Sequence, residues 1–293
     1  MEATPKATLA GVAAILLWSS LALLTVATEG LPPFQVLATA FAVAGAAGLL
    51  RAGLRGRAGW AELRQPPSAL ALSTAALFGY HALYFIALKR APAVEANLLN
   101  YMWPLLIVVF AGFLPGVRIG ALQWLGTLMG LAAAVLLVTG GRRLQVDPAY
   151  LAGYLAAITA AVLWAAYSVL NRRHAQVPSA AIAVACVAVA LLGAIAHLGF
   201  ERSVAPSPMQ WAALLAMGIG PTGAAFLLWD TGTKRGDIAL LGSLSYLAPL
   251  LSTVLLVLSG RAEPHPLQAV ALALLLGGAW LSTRSRTAAR GAL

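Results

Sequence analysis

Between Leu70 and Leu88, and again between Ala180 and Leu198, the chain runs without a single Asp, Glu, Lys or Arg. Similar runs follow one another from end to end, separated by short clusters of charge, Pro and Gly. Their length constrains the fold more than any other feature. A helix rising 1.5 Å per residue needs about 20 apolar residues to cross roughly 30 Å of hydrocarbon. In that medium every backbone N–H and C=O must be satisfied within the protein, which admits only helices or a closed barrel. Barrel strands alternate apolar and polar residues over about ten positions. These runs do not alternate, so they read as helices. Composition agrees: 61% of the residues are hydrophobic and 10% charged, with a mean hydropathy of +0.86. A soluble domain would carry roughly 25% charged residues to cover its surface.

The 293 residues divide into ten predicted spans. These are Ala7–Thr28, Pro33–Leu50, Pro67–Leu88, Val94–Leu114, Gly120–Gly140, Ala149–Leu170, Ser179–Gly199, Met209–Thr231, Ile238–Ser259 and Pro266–Thr283. No segment is left for a soluble domain. The first run follows Lys6 as a signal core would, but it is longer, and Leu23–Glu29 offers no small-x-small cleavage site, so it reads as a retained helix. The net charge of +10 is scattered between the apolar runs, a pattern that sets orientation in a bilayer and gives no face for nucleic acid. With the N-terminus inside, thirteen of the 19 Lys and Arg lie on the inner side. They are Lys6, Arg51, Arg55, Arg57, Arg64, Arg118, Arg172, Arg173, Lys234, Arg235, Arg284, Arg286 and Arg290. The outer side holds Lys89, Arg90, Arg142, Arg143, Arg202 and Arg261. The positive-inside bias therefore predicts both termini in the cytoplasm. Cys186 is the one cysteine, so no intrachain disulfide forms, and it reads as a small packed residue.

An internal repeat organises the spans. Lys89–Arg90 recurs 145 positions later as Lys234–Arg235, and Tyr-x-x-Pro-Leu-Leu recurs at the same offset, from Tyr101 to Leu106 and from Tyr246 to Leu251. Leu122-Gln123 and Leu267-Gln268 keep that register, as do Pro33 and Pro178, while Trp18 and Trp164 match with one residue of slack. The chain thus reads as two repeats, 1–145 and 146–293, of five helices each. Five is odd, so the second copy enters the bilayer upside down. Inverted repeats of this kind are a recurrent transporter architecture, because two equivalent halves can exchange inward-open and outward-open states of similar energy.

The five-plus-five duplication, the Trp in the first helix of each half and the Pro in the fourth resemble the drug/metabolite transporter superfamily, EamA type. The resemblance covers nearly the whole chain. Gly79-Tyr80-His81-Ala82-Leu83-Tyr84, followed by Asn97-Leu98-Leu99-Asn100-Tyr101-Met102-Trp103-Pro104, is similar to the aromatic amino acid exporters of that superfamily. The resemblance implies a ten-helix basket around a central cavity, in a bacterial inner membrane, exporting aromatic amino acids or a broader set of amino acids. It is expected to act as a monomer in the lipid bilayer, on a small-molecule substrate.

The residues themselves suit such a cavity. Tyr80, His81 and Tyr84 share an arc of about 100° on the third helix, and Asn97, Asn100, Tyr101 and Pro104 share one on the fourth, with Trp103 at its edge. Polar groups at membrane depth seek a partner or a wet cavity. Aromatic rings offer stacking and cation–π contact to an ammonium group, and Asn and His can hold a zwitterion without placing a full charge in the site. Trp18 and Trp164, mid-span and symmetric, and Tyr246, the repeat of Tyr101, join the expected substrate contacts. Pro104 and Pro249 remove a backbone donor inside their spans and predict kinks usable for gating. The Gly-rich stretches Gly126–Gly130, Gly218–Gly223 and Gly277–Gly278 read as packing seams. Trp60, Trp124, Tyr150, Tyr154, Trp211 and Trp280, near span ends, read as interfacial belts, and His197 likewise.

Other function classes are poorly served. No His-Glu-x-x-His, Gly-x-Ser-x-Gly or acidic pair at helical spacing supports an intramembrane enzyme, a metal or another cofactor. The spans lack central Lys and Arg, which a phosphate-ester carrier would use. A drug-cation exporter would want a mid-span acid, and only Asp230 and Glu95 fall within spans, both near an end. Transport is accordingly expected to run down the substrate gradient without ion coupling. A passive channel would leave the duplicated polar-aromatic faces unexplained.

Overall fold

A computed structural model of the chain describes residues 3–142, 147–261 and 263–290, with side chains up to Arg284. The expected repeat boundary at 145/146 lies outside the described residues, as do Arg143 and the side chains of Arg286 and Arg290. Ten helices are long and apolar enough to cross a membrane: α1 (Pro5–Ala27), α2 (Pro33–Leu54), α3 (Pro67–Arg90), α4 (Ala93–Ala111), α5 (Ala121–Thr139), α6 (Pro148–His174), α7 (Ser179–Phe200), α8 (Pro208–Arg235), α9 (Ile238–Leu258) and α10 (Pro266–Arg284). Six of them begin on Pro, which fits the first turn because its missing N–H would have had no partner there and its φ is already helical. Ser207 and Gln210 close a capping box at the start of α8, and the Asp237 carboxylate accepts the Leu240 N–H at the start of α9.

Four of these helices are interrupted away from their ends. α4 breaks at Tyr101–Met102 and α9 at Ser245–Tyr246, just ahead of the buried Pro104 and Pro249. Pro249 cannot donate to the Ser245 carbonyl, which takes a tighter 3.1 Å bond from Ala248 instead. Each break lies within a residue of the repeated tyrosine. α1 breaks at Ser19–Ser20, where both hydroxyls donate back to carbonyls of the preceding turn, Ser19 to Ile15 and Ser20 to Leu17. α8 widens into a π-turn over Gly218–Ala224, with Pro221 inside it.

The helices gather into two compact units that do not follow the sequence halves. The first holds Met1–Ala82 and Leu170–Gly236; the second holds Leu83–Val169 and Asp237–Leu293. In the first, α2 packs along α7 and α1 along α8. In the second, α5 packs along α10, α4 against α9, and α6 against the end of α3. Close approach relies on small residues, as it must between helices that gain nothing from hiding apolar surface in lipid. A methyl group added to Gly48 would collide with the Cβ of Ala183, and one on Gly193 would lie 3.2 Å from the Ala38 backbone. Gly48 and Gly193 are separated by the repeat offset, and so are Ala38 and Ala183. The contact is reciprocal, and α2 and α7 run antiparallel. α5 and α10 do the same, Gly126 abutting Gly278 while Ala133 and Ala271 sit in one buried cluster. The junctions match as well. A methyl group on Gly236 would come within 3.0 Å of the Thr8 backbone nitrogen in the first unit, and one on Gly153 within 2.6 Å of the Ala91 Cβ in the second.

Two of the interfacial assignments need correction. Tyr154 is buried among Ala87, Ala91 and Ala96, where these small residues leave room for its ring. His197 is buried too, its Nδ1 2.9 Å from the Glu201 carboxylate and its Nε2 2.8 Å from Ser203 Oγ. Glu201 also accepts the Phe34 and Gln35 N–H groups at the start of α2, so this cluster caps a helix. Trp60, Tyr150, Trp211 and Trp280 are exposed, as an interfacial belt requires.

Candidate substrate-site residues

Each unit assembles its own aromatic group. In the first unit, the His81 Nδ1 lies 2.6 Å from the Leu77 carbonyl. A carbonyl can only accept, so Nδ1 carries the proton. The ring meets Tyr80 edge-on at 5.2 Å and Phe41 edge-on at 5.4 Å. Phe41 stacks on Phe226 at 5.6 Å. Trp18 lies 5.8 Å from Phe226 and 5.0 Å from Trp229. Its indole Nε1 donates to the Pro221 carbonyl at 3.0 Å, inside the π-turn. A π-turn shifts carbonyls out of the i→i−4 ladder, and the indole N–H, which can only donate, meets one there.

In the second unit, the Tyr84 hydroxyl donates to Asn97 Oδ1, which ties the end of α3 to the first half of α4. Asn100 is buried one turn further on, and Tyr101 stands half-buried at the break. Trp103 opens the second half of α4 and meets Trp164 edge-on at 6.4 Å; Trp164 in turn lies 5.4 Å from Tyr167. Edge-to-face geometry is the preferred one for rings that carry a negative face and a positive rim. Tyr246, expected among these contacts, is instead wholly enclosed, its ring seated on Gly130 between Leu250, Ala271 and Leu275. It fills the α5–α9–α10 core.

The structure thus groups Trp18, Tyr80 and His81 in one unit and Tyr84, Asn97, Trp103 and Trp164 in the other. It adds Phe41, Phe226, Trp229 and Tyr167, which the sequence reading passed over. Two of them were within reach, since His81 and Tyr84 carried forward by the 145-residue offset are Phe226 and Trp229. The aromatic face of α3 recurs on α8.

A buried charge cluster was also missed. Asp230 and Lys234 pair at 2.8 Å with side chains only 3% and 5% exposed. Asn171 donates to Asp230 at 2.9 Å and to Thr233 at 3.1 Å, and Lys234 to the Val177 carbonyl at 3.1 Å. Arg172 donates to the Thr233 and Gly236 carbonyls, and Thr4 N–H to the Arg235 carbonyl. Lys234, expected among solvated loop charges, is buried because these partners replace its water. The arrangement fastens the ends of α1, α6 and α8 to one another inside the first unit.

The EamA-like transporter family matches this chain twice, over residues 5–139 and 151–284. The aromatic amino acid exporter YddG of Ancylobacter novellus is 50% identical over 281 residues, which cover 95% of this chain and 97% of that protein. The YddG exporter of Escherichia coli is 28% identical, over 85% of this chain and 87% of its own. A solved crystal structure at 50% identity superposes with a TM-score of 0.90 across 94% of this chain and 96% of its own. With ten apolar helices, two family matches and this degree of likeness, the chain belongs to the EamA-like transporter family and is a multi-pass membrane protein.

Proposed function

We propose that the protein exports aromatic amino acids and related zwitterions by alternating access, with both termini in the cytoplasm and the two repeats inverted. The polar-aromatic groups carry the reading. Indole, phenol and imidazole rings gather in the first unit, and a phenol and two indoles gather with Asn97 in the second; residues of these types take an apolar ring and both ends of a zwitterion without bringing a fixed charge of their own. The 50% identical relative is named for that activity. Reciprocal, antiparallel packing of α2 with α7 and of α5 with α10 supports inversion, and thirteen of the 19 Lys and Arg on one side support the orientation. The lining residues are Trp18, Tyr80, His81, Tyr84, Asn97, Asn100, Tyr101, Trp103 and Trp164, with the breaks before Pro104 and Pro249 as hinges. The monomer is the transporting unit.

Asp230 and Glu95 are the acids within spans, and Asp230 is engaged by Lys234 and Asn171. Transport therefore runs down the substrate gradient. Proteoliposomes loaded with labelled Trp, Phe, Leu and Lys test this directly. Efflux of Trp and Phe without an imposed pH or sodium gradient is expected, with Trp103→Ala and Tyr80→Ala slowing it at least tenfold. Efflux that requires an ion gradient rejects the uncoupled mechanism, and equal movement of Lys rejects the zwitterion site.

A further inference from the structure

Three helices of the first unit leave a groove of about 160 Å³ between them. Ala44, Ala47 and Gly48 of α2 form one wall, Ala183 of α7 the floor, and Gly223 and Ala224 of α8 the other wall. Ala47 and Ala224 are exposed on its rims, within segments that span the membrane. Water does not fill such a space, since it would need 2–4 polar partners and the single charged residue on the lining is Arg51, at the end of the α2 wall. A segment of alkyl chain needs no such partners.

Arg51 decides which lipid. It is half-exposed, and its nearest carboxylate, Glu62, stands 3.7 Å away. Glu62 is committed to Arg55, with both oxygens at 2.7 Å. The segment from Arg51 to Arg64 holds four Arg and one Glu, so it stays strongly basic after that pair is made. A guanidinium at the mouth of an apolar groove, at the end of a membrane span, matches a phosphodiester above an acyl chain. We propose that this groove binds one anionic phospholipid, its acyl chain between α2, α7 and α8 and its phosphate on Arg51. Gly223 and Ala224 belong to the π-turn, so the chain lies against the irregular part of α8. The lipid site is independent of the transported substrate.

Native mass spectrometry of the delipidated full chain, titrated with dioleoylphosphatidylglycerol and separately with dioleoylphosphatidylcholine, tests it. One phosphatidylglycerol should remain bound under conditions that strip phosphatidylcholine. Arg51→Gln should weaken that binding about fivefold, one surface arginine's share of the attraction. Arg51→Lys should restore most of it, and Arg57→Gln, off the groove, should leave it intact. Ala47→Leu, which fills the groove from its exposed rim, should reduce retention of both lipids. Equal retention of the two lipids, equal losses in Arg51→Gln and Arg57→Gln, or unchanged retention in Ala47→Leu would each overturn the site.

Discussion

The packing of α1 on α8 in the first unit and of α6 on α3 in the second are the same joint built twice, and they differ in the middle. Both begin with equivalent junctions, Gly236 on Thr8 and Gly153 on Ala91. Beyond that, α6 runs as an unbroken helix through Trp164 to Leu170, and α3 is regular from Pro67 to Arg90. α1 instead breaks straight after Trp18, and α8 opens its π-turn around Pro221. One residue accounts for part of this. From Trp18 to Pro33 the chain is one residue longer than from Trp164 to Pro178, and the Ser19–Ser20 break takes up the surplus. Pro221 has Ala76 as its counterpart in α3, and an alanine has no reason to leave the helical ladder. The charges diverge in the same way. Lys234 is enclosed with Asp230, whereas Lys89 is exposed and Phe85 stands where the aspartate would be. A duplicated frame has kept its joints and specialised their centres.

Substitutions at matched positions test how far the two joints differ. The largest effect is expected from Asp230→Ala, which leaves Lys234 enclosed and without its carboxylate at a cost of about 3–5 kcal/mol, read as a large fall in the thermal midpoint in detergent. Lys89→Ala, the equivalent helix end, should leave the midpoint where it was; a fall of similar size would mean the two ends are alike after all. Next in size, Gly48→Ala drives a methyl group into Ala183 and should cost about 1–3 kcal/mol by overpacking. Gly193→Ala, whose methyl group would sit 3.2 Å from the Ala38 backbone, should cost less, and the reverse order would refute the reciprocal register. Pro221→Ala should let α8 close into a regular helix, raising the midpoint while slowing efflux, because the Trp18 indole loses its exposed carbonyl. The smallest change belongs to Trp18→Phe, about 1 kcal/mol for one hydrogen bond with the ring kept. Amide hydrogen exchange across Gly218–Ala224 should quicken in that variant.

Much of the scaffold was legible because bilayer thickness turns span number into a matter of length and apolarity. All ten spans stand where the runs predicted, and the errors fall at their ends. α2 continues past Leu50 to Leu54 and α8 past Thr231 to Arg235, since long basic side chains can lie within a helix end and still reach water. Buried polar chemistry was less legible. Asp230 and Lys234 at i,i+4 look like any surface pair, and only the fold brings Asn171 and Val177 to them. Pro221 looks in the sequence like part of a packing seam, because a Gly-Pro-Thr-Gly run does not by itself distinguish a kink, a close contact and a π-turn. Tyr246 misled for the opposite reason: its repeat mate Tyr101 is half-buried at a break, but Gly130 opened a seat that encloses the second ring. Sequence symmetry carried the spans and their joints, and the local backbone and side-chain environment only where the neighbours were duplicated too.

The pairing of α2 with α7 also sets a timetable for synthesis. Gly48 leaves the ribosome 145 residues before Gly193, which at 5–20 residues per second is a wait of roughly 7–30 s. During that interval α1, α2, α4 and α5 are inserted without their principal neighbours, α8, α7, α9 and α10. The early helices therefore have to persist as separate spans, each held by its own apolarity, until the second repeat arrives to clasp them.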